Sequence, residues 1–388
     1  MKANTKLNQF IKKYTMILAL VVVFILFTIL TDNRLILSQN ISNLLLQNAY
    51  VLVTACGMLL CILTGGNVDL SIGSTLCLSA AIAAKMMSIG KDPLLAILVA
   101  MLVSAVIGVW QGWLIGYVHI PPFICTLAGM FLIRGIARVI LDSRTIAIQD
   151  PKFQNLFTSY IRMPGETLGN VKSSLVIGVI VAVLLTIWML LSRMKKQKSG
   201  YHVENMKTTI LKIIVFDALI IAYGERLSGY KGIPVMCLWI LVVVIIFAFI
   251  TSHTVFGRYF YAVGGNEKAT KMSGIDPRKV YFWAYFLMSV LAGLSGLLVG
   301  ARIGSVDGNM GNSYEMDAIA SCFIGGASAY GGSGTVPGIM VGAILLGVIN
   351  QGMSILGLPD QFQYIVKGAV LLAAVVFDVV SNHKTGKS

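Results

Sequence analysis

The stretch TGGNVDLSIGS, residues 64–74, lies between two long apolar segments of the chain. Its paired glycines break a helix, and Asn67, Asp69 and Ser71 then place polar groups at alternating positions. Irregular backbone at membrane depth is tolerated only where protein or water surrounds it, so this pattern favours a broken helix beside a permeation pathway. The alternative is a tight turn at the membrane surface, with Asp69 and Ser71 capping the next helix.

A second glycine-rich interruption, FIGGASAYGGSGT at residues 323–335, lies in the other half of the chain. Two Gly-Gly breaks, one in each half, are typical of duplicated membrane transport folds with discontinuous helices. The polar residues of both stretches are predicted to line a translocation pathway: Asn67, Asp69, Ser71, Ser328 and Tyr330. Close helix packing is the alternative, because small residues let backbones approach and the chain contains 39 glycines.

The composition around these breaks is that of a membrane protein. Hydrophobic residues make up 57% of the 388 residues and charged residues 12%, whereas soluble chains have roughly 45–50% and 25%. A soluble enzyme, a secreted domain and a disordered tail are therefore excluded. Apolar segments begin near residues 16, 43, 72, 94, 122, 173, 209, 235, 280, 316, 336 and 362. They predict an all-α polytopic fold of about 10–12 transmembrane helices, forming one transmembrane domain over residues 1–388.

The net charge of +14 reports the topology of the chain in the membrane. The basic residues concentrate in four blocks: 1–15, 193–208, 256–279 and 381–388. A chain of about twelve spans places all four on one side, which the positive-inside rule assigns to the cytoplasm. We predict a multi-pass protein of the plasma membrane with both termini cytoplasmic. The blocks form no basic face interleaved with aromatic residues, so nucleic acid is not an expected partner.

Residues that commonly carry chemistry are scattered in this sequence. The six cysteines lie inside apolar segments, and the four histidines have no Cys or carboxylate at ligand spacing. The closing TGKS, residues 385–388, lacks the first glycine of a phosphate loop and a following helix. We therefore predict no enzyme activity, no metal site and no cofactor in this chain.

Four charged residues fall inside apolar segments: Arg134, Arg138, Asp217 and Lys367. Charge at membrane depth is costly and is a functional hypothesis by default. Long basic side chains near a span end can instead extend to the interface, which is the interpretation that we favour here. The sequence shows no paired acid and base for a proton or sodium relay, which argues against an ion-coupled carrier.

The basic segment 256–279 contains a short candidate helix. Residues 267–273 can make about two helical turns, with Gly264 and Gly265 before them and Gly274 as a terminator of positive φ. So short a helix is unstable alone and needs a surface against which it can dock. We predict a docking helix for a cytoplasmic partner; a charged connecting loop is the alternative.

Five stretches together resemble the membrane permeases of monosaccharide-uptake ABC transporters, the ribose, galactose and xylose group. They are GGNVDLSIGS, PPFICTLAGMFLIRGI, GRYFYAVGGNEKATKMSGI, the run from EMDAIASC to GMSILGL, and QYIVKGAVLLAAVVFD. They follow in order along nearly the whole chain. The segment from about 192 to 235 is similar in layout to the longer, xylose-type members.

This resemblance implies a core of two permease copies, expected as a homodimer in the lipid membrane. An extracytoplasmic binding protein would deliver the monosaccharide, and a separate ATPase subunit would use ATP. The resemblance assigns the ATPase-coupling segment to seven residues: Gly264, Gly265, Asn266, Glu267, Ala269, Ser273 and Gly274. An ion-coupled secondary sugar transporter is the alternative, and a non-transporting membrane scaffold is third.

Overall fold

The computed structural model describes residues 2–200, 203 and 205–384. Four residues of the predicted tail, 385–388, and three of the basic loop 193–208 lie outside the described residues. The helices of the first half are α1 Lys2–Leu30, α2 Ser38–Leu63, α3 Ile72–Ser88, α4 Pro93–Gly116, α5 Pro122–Ile140, α6 Pro151–Thr158 and α7 Lys172–Lys198. Those of the second half are α8 Met206–Ser228, α9 Met236–His253, α10 Val255–Gly265, α11 Glu267–Met272, α12 Pro277–Ile303, α13 Tyr314–Ile324, α14 Val336–Ile355 and α15 Asp360–Lys384.

The described strands are two-residue pairs that tie loops together. Strand β1 (Ile146–Ala147) pairs antiparallel with β4 (Ser305–Val306), and β2 (Tyr160–Ile161) pairs antiparallel with β3 (Ile233–Pro234). All four strands lie between helices, so they join the loop after α5 to the loop after α12 and the loop after α6 to the loop before α9.

The all-α polytopic fold is confirmed. Each of the twelve predicted apolar segments forms a helix, and seven helices of the described chain are long and apolar enough to cross a membrane. Three shorter apolar stretches, 16–30, 72–88 and 361–376, add to these. Helix α13 is only 11 residues long, about 16 Å. It therefore cannot cross a hydrocarbon core of about 30 Å alone.

Helix α2 stands at the centre of the bundle and defines its two ends. Its 26 residues span about 39 Å, and 89% of its most apolar window is buried within the protein. Ser38, at its start, packs against Gly229 after α8, whereas Leu63, at its end, packs against Gly264 of α10. We call these the Ser38 end and the Leu63 end. Because α7 and α8 are antiparallel neighbours, the basic last turn of α7, with Lys195, Lys196 and Lys198, lies at the Leu63 end.

The helices at the periphery carry the apolar surface that faces lipid. In α7 only 17% of the apolar window is buried, and this helix packs chiefly against α8, where Gly178 and Gly224 bring the two backbones together. Close packing through glycine also joins α4 to α12, since a Cβ on Gly112 would stand 2.6 Å from the Phe282 carbonyl oxygen. Both readings of the glycines, breaks and close packing, therefore apply to this chain.

Candidate coupling junction and translocation site

The two glycine-rich breaks meet at the Leu63 end. The backbone N–H of Gly332 donates to the Leu63 carbonyl oxygen at 3.0 Å. Gly66 has φ +75°, and a Cβ there would stand 1.9 Å from the Ala329 carbonyl oxygen. Only glycine allows both the positive φ and the close approach. The sequence placed one break in each half of the chain, and the structure joins them.

Helix α10 packs on the point where the breaks meet. A Cβ on Gly264 would stand 1.7 Å from the Leu63 carbonyl oxygen and 2.6 Å from the Gly332 nitrogen. The Tyr261 hydroxyl also donates to the Gly334 carbonyl oxygen at 2.9 Å. The predicted coupling segment is thus in direct backbone contact with both interruptions.

The short helix α11 follows α10 after a single residue. Asn266 is extended, with φ −163°, and its side chain accepts from the Ala269 N–H at 2.9 Å. Asn266 is therefore the N-cap residue of α11, a role that was not predicted from the sequence. The Thr270 hydroxyl donates to the Ala262 carbonyl oxygen at 2.8 Å and holds α11 against α10. The helix predicted over residues 267–273 is confirmed, and it ends one residue earlier than predicted, at Met272.

The ends of this segment differ in part from the prediction. Gly264 and Gly265 form the last residues of α10, so they are helical and not a loop before α11. Gly274 has φ +87°, which confirms the predicted left-handed terminator. Ser273 caps α11, and its hydroxyl donates to the Ala269 carbonyl oxygen at 3.0 Å. The proposed role of these residues in coupling stays a prediction.

A cavity of about 220 Å³ lies beside α11. Asn67 and His119 line it from the first half of the chain, and Glu267 and Tyr281 from the second. The Tyr281 hydroxyl donates to a Glu267 carboxylate oxygen at 3.1 Å, which ties α11 to α12. At the start of α12, the side-chain hydrogen bond from Arg278 lowers the pKa of the Asp276 carboxyl below its usual value.

Three of the five predicted pathway residues, Asn67, Asp69 and Ser71, lie in the segment just before α3. One Asp69 carboxylate oxygen accepts from the Ser71 N–H at 2.8 Å and from its hydroxyl at 2.7 Å. Gln111 of α4 donates to the same hydroxyl at 2.8 Å, and Asp69 and Ser71 are buried. These bonds form the local turn of the alternative interpretation, but Ser71, the N-cap residue of α3, makes no side-chain capping bond, so the capping part of that alternative is not borne out. Asn67 differs, because it lines the small cavity beside α11.

The other two predicted residues, Ser328 and Tyr330, lie in the second break. The Ser328 hydroxyl accepts from the Tyr330 N–H at 3.2 Å, and the Tyr330 side chain is 63% exposed. They share the Leu63 end with Asn67 but not the hydrogen-bonded group of Asp69 and Ser71. Their assignment to a pathway stays a prediction.

An ion pair between the partly exposed Lys367 and the buried Asp317 was not predicted from the sequence. The Lys367 ammonium lies 3.0 Å from an Asp317 carboxylate oxygen, and the Asp317 side chain is 2% exposed. The Tyr50 hydroxyl donates to the same oxygen at 2.6 Å, and Tyr50 is midway along α2. The expectation that the chain contains no such acid–base pair is therefore wrong, and Lys367 does not extend to the interface.

The other charges inside apolar segments also have protein partners. Arg134 donates to the carbonyl oxygens of Gly308 and Met310, and Arg138 donates to the Asn309 side chain at 3.1 Å. These arginines tether the loop after α12, and the interpretation that they extend to the interface stays a prediction. An Asp217 carboxylate oxygen accepts from the Thr186 hydroxyl at 2.6 Å, between α7 and α8.

The ion pair adjoins a cavity of about 470 Å³. All of its lining residues have polar side chains: Gln47, Asn48, Tyr50, Arg302, Tyr314, Asn350, Ser354, Gln363, Tyr364 and Lys367. They come from α2, α12, α13, α14 and α15. We call it the inner cavity. Among the described residues, no group of three His, Cys, Asp or Glu side chains could hold a metal ion.

The fold and these sites define a multi-pass membrane transport protein with discontinuous helices. A protein-family model described as "Branched-chain amino acid transport system / permease component" matches residues 40–375. The chain therefore belongs to this family of permease components.

Three relatives extend the comparison over nearly the whole chain. The xylose transport system permease protein XylH of Haemophilus influenzae is 34% identical, covering 96% of this chain and 97% of the relative. The XylH protein of Escherichia coli K12 is 31% identical, covering 96% and 93%. The ribose import permease protein RbsC of E. coli K12 is also 31% identical, covering 93% and 92%. No solved structure matches the chain.

Proposed function

We propose that this chain is the permease subunit of an ABC importer that moves a monosaccharide, xylose or a related pentose or hexose, across the plasma membrane. The observation that carries the proposal is the similarity, over more than nine tenths of the chain, to permeases named for xylose and ribose transport. The family description mentions branched-chain amino acids, so the class of substrate is the first point to test.

In this proposal the Leu63 end faces the cytoplasm. The basic last turn of α7 lies at this end. So do the cations of the α10–α12 region: Arg258, Lys268, Lys271 and Lys279. The positive-inside rule assigns such a concentration to the cytoplasmic side, and it places both termini there. At the Ser38 end acids and bases are mixed, as in the ion pair of Lys85 with Asp142 at 2.7 Å.

A separate ATPase subunit would bind at α11, and an extracytoplasmic sugar-binding protein would bind at the Ser38 end. Met272, on α11, is 90% exposed, and so large an apolar side chain at the tip of a cytoplasmic helix suits insertion into a protein cleft. The route of coupling then runs from α11 through Gly264 to both breaks. A second copy of this chain would complete the core as a homodimer, which the mass of the purified complex tests.

The proposed substrate is a neutral sugar. The Asp317 and Lys367 charges compensate each other, and the inner cavity offers amides and hydroxyls that can exchange hydrogen bonds with sugar hydroxyls. Selectivity would reside mainly in the binding protein. Binding of xylose, ribose, galactose and leucine to that protein tests the substrate class, and a protein specific for amino acids would overturn the sugar assignment.

The decisive experiment is uptake of radiolabelled sugar into vesicles that contain this chain. Uptake should require the ATPase subunit, its ATP and the binding protein, and it should survive an uncoupler. The Asp317–Lys367 pair favours a second candidate, an ion-coupled carrier, because buried acid–base pairs occur in proton relays. Uptake by this chain alone, driven by an ion gradient and abolished by the uncoupler, would establish that candidate instead.

A further inference from the structure

A second cavity adjoins the inner cavity. It has a volume of about 550 Å³ and is lined by the loop after α12, including Asp307, Asn309 and Asn312. We call it the outer cavity. Tyr314 and Tyr364 line both cavities. These two rings therefore stand where the outer cavity and the inner cavity adjoin.

The two tyrosines differ in how firmly they are held. Tyr314 stacks on Tyr50, with ring centroids 3.8 Å apart and an interplanar angle of 17°, and Tyr50 is itself bonded to Asp317. Tyr364 is 57% exposed on α15. Tyr364 therefore offers the more accessible ring, whereas Tyr314 is held against Tyr50.

Two of the side chains that line the inner cavity have unpaired polar atoms. Among the described residues, no hydrogen bond reaches Arg302 Nε or Asn350 Oδ1. Protein covers both atoms, so a ligand in the cavity meets the remaining polar atoms of these side chains. The Arg302 guanidinium and the Asn350 amide can both donate to sugar hydroxyl oxygens.

The charges along both cavities balance. Arg302 and Lys367 carry positive charge, and Asp307 and Asp317 carry negative charge. A neutral ligand with many hydroxyls therefore fits better than a phosphorylated sugar or an amino acid. The ring of a monosaccharide also has an apolar C–H face that packs against aromatic side chains.

We propose that the outer and inner cavities form one path for a neutral monosaccharide, with Tyr314 and Tyr364 as an aromatic constriction between them and with Arg302 and Asn350 as sugar contacts in the inner cavity. This inference rests on the proposed function and names the site within the membrane that it requires. It moves the pathway from the two glycine-rich breaks to the bundle between α2, α12, α13, α14 and α15.

The first test replaces the exposed aromatic ring of Tyr364. Tyr364→Leu should lower uptake about tenfold in vesicles that contain the complete transporter, because the sugar loses its stacking surface. Phe362→Leu is the matched control, since Phe362 is 56% exposed on the same helix and lines neither cavity. Uptake should be unchanged in the control and largely restored by Tyr364→Phe. Equal uptake in Tyr364→Leu and Phe362→Leu would overturn the constriction.

The second test measures access and needs no sugar chemistry. Ser354 lines the inner cavity, so Ser354→Cys should react with a membrane-impermeant maleimide added at the Ser38 end, and the label should stop uptake. Leu356→Cys is the control, because Leu356 is 40% exposed two residues further along the chain and lines neither cavity. It should react without loss of uptake. Failure of Ser354→Cys to react, or equal loss of uptake after labelling of both variants, would overturn the path.

The two levels of the proposal fail differently. If the unaltered transporter moves no monosaccharide with its ATPase and binding protein, the proposed function fails, and the path loses its ligand with it. If the unaltered transporter moves sugar while labelled Ser354→Cys does so equally well, only the path is wrong. The native cysteines give the labelling background, which the unaltered chain measures.

Discussion

The substitution Gly264→Ala should uncouple the proposed ATPase helix from the bundle. The added Cβ would stand 1.7 Å from the Leu63 carbonyl oxygen. Real contacts of a Cβ essentially never fall below 3.0 Å, so α10 must retreat from α2 by about 1.3 Å or more. The same oxygen accepts the hydrogen bond from Gly332 that joins the two breaks.

The cost of this substitution follows from the two disturbed contacts. Overpacking of a well-packed region costs about 1–3 kcal/mol, and loss of the Gly332 hydrogen bond adds about 1 kcal/mol. A total of roughly 2–4 kcal/mol is below the usual stability of a folded protein, about 5–15 kcal/mol. We therefore expect Gly264→Ala to remain folded in the membrane while the junction is displaced.

Gly265→Ala provides the matched control in the next residue. Apart from its own helix backbone and chain neighbours, no heavy atom of the described residues lies within 4 Å of its added Cβ, and alanine favours a helix over glycine by about 1 kcal/mol. Membrane level, thermal stability, ATPase association and sugar uptake should be measured on the same preparations. Gly264→Ala should lose uptake per ATP hydrolysed, and Gly265→Ala should keep it. Equal coupling in the two variants would refute the junction as the route of transmission.

Three further predictions concern α11 and the ion pair of Asp317 with Lys367. Gly274→Val should lower sugar-stimulated ATP hydrolysis and uptake together, because a β-branched residue is strained at φ +87°, whereas Gly274→Asn should be tolerated; normal rates in Gly274→Val would contradict this. Glu267→Lys removes the acceptor for Tyr281 and a first-turn acid worth about 0.3–1 kcal/mol, so it should weaken ATPase binding in a pull-down assay at an unchanged membrane level. Asp317→Asn should lower the thermal midpoint by leaving Lys367 unpaired, and the double variant with Lys367→Met should recover most of the loss; additive losses would show that the pair is not coupled.

The helices were predictable because each depends on one contiguous apolar stretch. The C-terminal end of α11 was also predictable, because Gly274 and the polar residues before it are local signals for the end of a helix. Helices α6 and α10 were missed, although Asp150 before Pro151 and Thr254 before α10 are capping residues of the expected kind. Their short length and mixed polarity gave no periodic signal that separates them from loops.

The candidate sites depend on contacts between distant parts of the chain. Asp317 and Lys367 are 50 residues apart, and Tyr50 is 267 residues from Asp317. One sequence without tertiary information cannot pair them, and Asp317 looks like an ordinary first-turn acid of α13. Asp69 was predicted to line a pathway, but its carboxylate forms a local hydrogen bond with Ser71, two residues away in the chain.

The meeting of α10 with the two breaks is a contact of main chain with main chain. Side chains change rotamer on picosecond to nanosecond timescales and can absorb small displacements. Glycines have no side chain, so at this interface a displacement cannot be absorbed by a rotamer change. A shift of α10 by an ångström must therefore reappear at Leu63 and Gly332 almost undiminished. In the proposed coupling role, a small displacement of α11 and α10 would therefore move the ends of both broken helices together.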